Sequence, residues 1–116
     1  MNKKSVVRSF LFFCGSSAML ASLTLQADQQ MGGGGEKIVG EVCSTCHGPG
    51  LMGAPKIGDT NAWQARLKNA GSVNVLLTTA EHGKGNMPPR GGESSLSDGE
   101  LQSAIQYMLG KSGVTF

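Results

Sequence analysis

Two cysteines three positions apart with a histidine directly after them, Cys43-Ser44-Thr45-Cys46-His47, constrain this chain more than any other feature. On one helical turn two such thiols can each add to a vinyl group on the same side of a porphyrin, and the adjacent imidazole is then held under the ring within reach of its iron. Other readings of the same five residues compete. A thioredoxin-like redox pair prefers to follow a strand and open a long helix; here the residues before Cys43 are helical in pattern, and Gly48 to Gly58 after it holds four glycines and two prolines. A zinc site needs four ligands, and beyond the cluster there is one further histidine, His82, and no later cysteine. A simple Cys43–Cys46 disulfide in an exported non-haem binding module is the third alternative. The motif taken together with the N-terminal segment favours one covalent haem c with its iron.

That segment carries Lys3, Lys4 and Arg8 and then runs from Ser9 to Leu25 for seventeen residues without a charge, ending in the small residue Ala27 before the first acid, Asp28. A basic stretch, an apolar stretch and a small-residue cleavage site make an export signal, read here as residues 1–27, removed on export with Cys14 in it. The alternative is an uncleaved membrane tether, since a spanning helix needs about 20 apolar residues. With the signal gone, seven Lys and Arg face eight Asp and Glu. No basic run with interleaved aromatics remains, so neither nucleic acid nor an anionic membrane is expected as a partner. The aromatics from Asp28 onward are Trp63, Tyr107 and Phe116. A domain that small is marginal on side-chain burial alone and leans on a metal, a disulfide or another staple.

A covalent haem needs a second axial ligand or an open face. Met31 lies in a Gly-rich lead, Met52 is five residues past His47, and Met108 falls on the apolar face of the last helix. Met87, in Gly83-Lys84-Gly85-Asn86-Met87-Pro88-Pro89, stands forty residues beyond His47. That is enough chain to round the ring and return, and the prolines restrict the backbone that carries the thioether. His82 is the rival ligand and would give a lower potential.

Periodicity places the pieces on helices. Residues 28–34 form a Gly-rich lead, 35–110 the haem domain and 111–116 a short tail. Ile38, Val39 and Val42 give a helix from Gly35 to Thr45; Trp63 and Leu67 one from Asn61 to Asn69; Val73, Leu76, Leu77 and Ala80 one from Val73 to His82. Ser97-Asp98-Gly99-Glu100 is a capping box opening a last helix with Leu101, Ala104, Ile105 and Met108 on one face and Gly110 as its stop. No period-two pattern appears, so the fold class is all-α.

The ordered set Gly53-Ala54-Pro55-Lys56-Ile57-Gly58-Asp59, Trp63 with Arg66, Met87-Pro88-Pro89-Arg90-Gly91-Gly92 and Leu96-Ser97-Asp98-Gly99-Glu100-Leu101 resembles a class I cytochrome c, more narrowly the bacterial cytochrome c5-like group, from Gly35 through Met108. The resemblance implies four or so short helices and loops wrapped around one haem, with His47 as proximal and Met87 as distal ligand. It implies that the Pro55 carbonyl orients the proximal imidazole, and that Gly35 and Tyr107 mark the crossing of the first and last helices. Trp63 and Arg66 then become candidates for the haem carboxylates. Two departures are visible. A second cysteine pair often found before the last helix is replaced by Glu93 and Leu96, leaving that loop to rest on Gly91, Gly92 and packing, and the commonly aromatic position 39 is Val.

The expected function is a soluble, periplasmic, monomeric one-electron carrier and not an enzyme, docking transiently with a redox donor and acceptor, with Lys56, Lys84 and Arg90 available to steer an acidic partner. The alternative on the same cofactor is a labile distal site acting on peroxide or sensing a small ligand.

Overall fold

The computed structural model of the chain describes residues 30–116, with side chains from Gly34 onward. The expected export signal, residues 1–27, lies outside them. Every regular element is helical: α1 (Gln30–Ile38) continues through a π-helical segment, Val39–Cys43, into α2 (Ser44–His47), and α3 (Thr60–Ala70), α4 (Val73–His82) and α5 (Asp98–Lys111) follow. Single 3₁₀ turns at Leu51–Gly53 and Pro89–Gly92 punctuate the loops. Among the described residues no β-strand occurs, only a bridge between Lys84 and Met87.

Local chemistry fixes most helix ends. Asp59 Oδ1 accepts from the Ala62 N–H at 3.0 Å, and Ser72 Oγ from the Val75 N–H at 3.3 Å. The reciprocal box at α5 is present: Ser97 Oγ accepts from the Glu100 N–H at 3.3 Å, and Glu100 Oε2 accepts from the Ser97 N–H at 2.8 Å. The Ser97 N–H, and then its hydroxyl, hold the Glu100 carboxyl below the ordinary carboxylate value. That contribution is therefore present at neutral pH and is lost as pH falls through the lowered value.

Element bounds differ from the sequence expectation most at the two ends of the described residues. Helix α1 covers Gln30–Ile38, so Gly32 to Gly34 of the expected lead lie in helix together with Gly35. Each glycine disfavours helix by about 1 kcal/mol against alanine, and tertiary packing at Gly35 outweighs that. At the other end α5 does not stop at Gly110. It runs to Lys111 and closes in a Schellman turn, with Gly113 at φ +68°, its N–H on the Gly110 carbonyl at 3.0 Å and the Val114 N–H on the Leu109 carbonyl at 3.0 Å. Val114 and Leu109 are both buried, as the motif requires. Val114 of the expected tail thus belongs to the core.

The core is Ile38, Val39, Trp63, Ala80, Leu101, Ala104, Ile105, Met108, Leu109 and Val114. Helix α5 supplies half of it and packs against both α1 and α4. Where α1 crosses α5, a Cβ on Gly35 would fall inside the Ser103 carbonyl group and come within 3.2 Å of the Tyr107 Cβ, so only glycine fits. The Tyr107 hydroxyl then reaches across to Glu36 Oε1 at 2.9 Å. Val39 is buried in this interface, filling the position where an aromatic ring was noted as common. Gly35→Ala is expected to destabilise the holoprotein by about 1–3 kcal/mol from overpacking, despite about 1 kcal/mol gained in helix propensity. A urea midpoint lowered at constant m-value measures it.

Candidate functional site

Between α2, α3, α4 and α5 the packing leaves a cavity of about 520 Å³, within the roughly 300–1,000 Å³ usual for ligand and cofactor sites. The residues expected from the sequence to hold the cofactor line it: Cys43, Cys46, His47, Pro55, Trp63, Arg66 and Met87. His82 does not. The π-helical segment ends at Cys43, and one α-turn carries Ser44 to His47, so both cysteines and the histidine come from a single continuous helix. π-Helical segments widen a helix by one residue and recur where a side chain must be re-aimed.

His47 is buried, at 7% exposure. Its Nδ1–H donates to the Pro55 carbonyl at 2.8 Å, which fixes the tautomer and leaves the lone pair on Nε2. The Ile57 N–H donates back to the His47 carbonyl at 2.8 Å. Cys43 and Cys46 are unbridged in this structure, Cys43 half-buried and Cys46 exposed. Burial pushes the Cys43 thiol above its ordinary value, keeping it protonated at neutral pH.

Met87 is placed by a two-residue turn. Lys84 and Met87 exchange both backbone hydrogen bonds at 3.0 Å, and Gly85 at φ +59° takes the first central position, where such hairpins favour glycine. Gly83 directly follows the last residue of α4. At φ +77°, a Cβ there would lie 2.7 Å from the Met87 carbonyl oxygen and 2.8 Å from the Pro89 nitrogen. The missing side chain is the space into which the Met87-Pro88-Pro89 backbone folds.

The loop that follows was expected to rest on Gly91, Gly92 and packing. Its main brace is Arg90, whose Nη1 donates to the Leu96 carbonyl at 2.7 Å and whose Nη2 pairs with Asp98 Oδ1 at 2.6 Å. This spans the place of the missing cysteine pair, and it also takes Arg90 out of the set of cations open to a partner. Nothing in the sequence pattern marks Arg90 and Asp98 as a pair, since they belong to a loop and a helix start.

Trp63 and Arg66 line the cavity, and the indole N–H and one guanidinium nitrogen have protein partners. The indole Nε1–H donates to the Lys56 carbonyl at 3.0 Å, and Arg66 Nη2 donates to the Gly53 carbonyl at 3.0 Å. Trp63 is buried and stacks against the His47 ring, with centroids 5.4 Å apart and planes inclined by 28°.

Set against these groups, a haem c fits. Two unbridged thiols, an imidazole lone pair and a thioether open on one mainly apolar cavity. The charged side chains that line it among the described residues are Arg66 and Lys84, with no carboxylate, which suits the two carboxylates of a haem.

Comparison with known proteins agrees. The family model described as Cytochrome C oxidase, cbb3-type, subunit III matches residues 31–108. The chain is 45% identical over 82 residues to cytochrome c5 of Ectopseudomonas mendocina, covering 67% of this chain and 94% of that one. This chain belongs to the class I cytochromes c, in the cytochrome c5 group. Cytochrome c5 of Azotobacter vinelandii is 43% identical over 82 residues, covering 68% of this chain and 99% of that one. A chain in the crystal structure of an electron transfer complex of nitrite reductase with cytochrome c superposes with a TM-score of 0.64 at 40% identity, covering 69% of this chain and 95% of that chain. As a cytochrome c the chain takes a covalent haem c with iron.

Three substitutions test the Met87 side of the cavity. Gly83→Ala forces a side chain into left-handed backbone and against Met87, and is expected to cost about 1–3 kcal/mol and to weaken the sulfur-to-iron charge-transfer band of the ferric holoprotein. Asp98→Asn removes one arm of the Arg90 brace at a largely exposed carboxylate and is expected to cost under about 1 kcal/mol. Arg90→Ala removes both arms and is expected to cost more, by denaturant midpoint.

Proposed function

We propose that this chain is a one-electron carrier of the periplasm, with haem c joined through thioethers to Cys43 and Cys46 and its iron held between His47 Nε2 and the Met87 sulfur. The observation that carries the reading is the convergence of all four side chains on one cavity, with the histidine already oriented by Pro55. When bound, the haem supplies an iron that cycles between ferrous and ferric states. The protein's part is to keep that cycle cheap. Pro55 holds the imidazole in one tautomer and raises its basicity. Gly83, the Lys84–Met87 turn and the two prolines keep the thioether in place in both oxidation states. The apolar walls exclude water and, with the thioether, favour the ferrous form.

Filling both axial positions leaves no place for substrate at iron, which supports carrier over enzyme. A peroxide-handling site is not favoured, because no second histidine and no carboxylate lines the cavity among the described residues. Leu51 and Met52, at 48% and 74% exposure, stand on the rim beside Lys84. They offer an apolar patch with one cation for a short-lived encounter with a redox donor or acceptor, in keeping with the electron transfer complex of the similar structure. The carrier acts as a monomer. Among the described residues no helix is long and apolar enough to cross a membrane.

Intact mass of protein from a strain competent in haem attachment is expected to exceed the polypeptide by one haem, with an N-terminus at Asp28. Met87→Ala is expected to abolish the sulfur-to-iron charge-transfer band and to lower the potential by about a tenth of a volt or more, inside the ≈ 0.8 V that axial ligands span. An unchanged spectrum and potential would remove Met87 as ligand and the carrier reading with it.

A further inference from the structure

We propose that Trp63 is a positioning residue for the proximal imidazole, acting through the segment Pro55–Gly58 and not through the haem carboxylates. The proposal rests on the haem reading above and concerns which protein groups set the donor strength of His47.

The segment is gripped at successive residues. Pro55 gives its carbonyl to the His47 Nδ1–H at 2.8 Å, and Ile57 gives its N–H to the His47 carbonyl at 2.8 Å. The Lys56 carbonyl and the Ile57 N–H form one peptide unit, which follows directly on the unit that carries the Pro55 carbonyl. The Lys56 oxygen accepts the Trp63 indole N–H at 3.0 Å. The indole therefore polarises a peptide group whose other end bonds to the backbone of the ligand itself, and bonds in such a chain strengthen one another by roughly 10–30% each. The same ring lies against the imidazole, at 5.4 Å between centroids. With Trp63 at 4% exposure, water does not readily take the place of its N–H.

Beyond Ile57 the segment is anchored a second time. The Gly58 N–H donates to Ser112 Oγ at 2.9 Å, and the Ser112 hydroxyl donates to the Met108 carbonyl at 2.7 Å. Ser112 is 2% exposed and is not among the residues lining the cavity, so it ties the segment to the end of α5 from outside the site.

The chemical consequence runs through the Nδ1–H bond. The better the Pro55 carbonyl is aligned, the more negative charge the imidazole carries and the better it stabilises ferric iron. Loosening the segment weakens that bond, makes His47 a poorer donor and raises the reduction potential.

The experiment uses the holoproteins Trp63→Phe, which keeps an aromatic ring but cannot donate, and Ser112→Ala. Intact mass and the sulfur-to-iron charge-transfer band are recorded first; their absence in the unsubstituted protein sinks the haem reading itself and is distinguishable from everything that follows. Potentials are then measured from pH 5 to 9, and exchange of the His47 Nδ1 proton with D2O is followed by NMR. The expected result is a higher potential in both variants, shifted equally at every pH, smaller for Ser112→Ala, with Nδ1 exchange about tenfold faster in Trp63→Phe. A Trp63→Phe potential that changes only over the pH range of a haem carboxylate, with Ser112→Ala unaltered, assigns the indole to that carboxylate and overturns the proposal. Unchanged potentials in both variants overturn it as well. Should Trp63→Phe fail to accumulate, Ser112→Ala decides alone, an unshifted potential counting against.

Discussion

The backbone of α1 lies directly on the backbone of α5 where Gly35 meets Ser103, and the placement of the site follows from that contact. Helix α1 runs without a break into the turn bearing Cys43, Cys46 and His47, so fixing α1 on α5 fixes the proximal donor set. Helix α5 also packs on α4, whose C-terminal Gly83 seats the Met87 backbone. The two halves of the site, forty residues apart in sequence, are thus referred to one common helix. A domain with three aromatic residues after its signal has little side-chain volume to spend on a continuous core. Here the helices enclose a cavity where a larger protein would place more apolar side chains, and the cofactor completes the interior.

Features written in local chemistry were legible in the sequence. The cysteine and histidine spacing, the Ser97 to Glu100 capping box, the apolar face of α5 and the span of α4 depend on residues within a turn or two of each other, and periodicity and cap chemistry reach that far. The ends of α1 and α5 were not legible, for opposite reasons. Glycine propensity argues against helix at Gly32 to Gly35, and the crossing with α5 explains why glycine is needed at Gly35. At the other end Gly110 sits where a stop is expected, but Gly113 is the glycine with the left-handed backbone.

Within the site, composition identified the residues and missed what they bind. Arg90 reads as a surface cation, yet its partners are the Leu96 carbonyl and Asp98, both beyond the next turn. Trp63 reads as a donor in search of an acceptor, and the acceptor is a backbone oxygen seven residues earlier. Ser112, one residue past the last helix, satisfies a backbone N–H fifty-four positions away. Hydrogen bonds of this kind carry no periodic signature. They become visible only once tertiary structure has brought a backbone group to a side chain of ordinary type.

The π-helical segment Val39–Cys43 sits between the crossing point at Gly35 and the first cysteine. Each residue of an ordinary helix turns the chain by about 100°, so the length of this stretch sets the compass bearing of both thiols and of the imidazole relative to α5. A one-residue deletion there changes the spacing between the crossing and the thiols and also disturbs Val39, which packs in that interface. Five residues thus serve as a spacer and a wall at once: Val39 faces the crossing, while Val42 and Cys43 face the cavity.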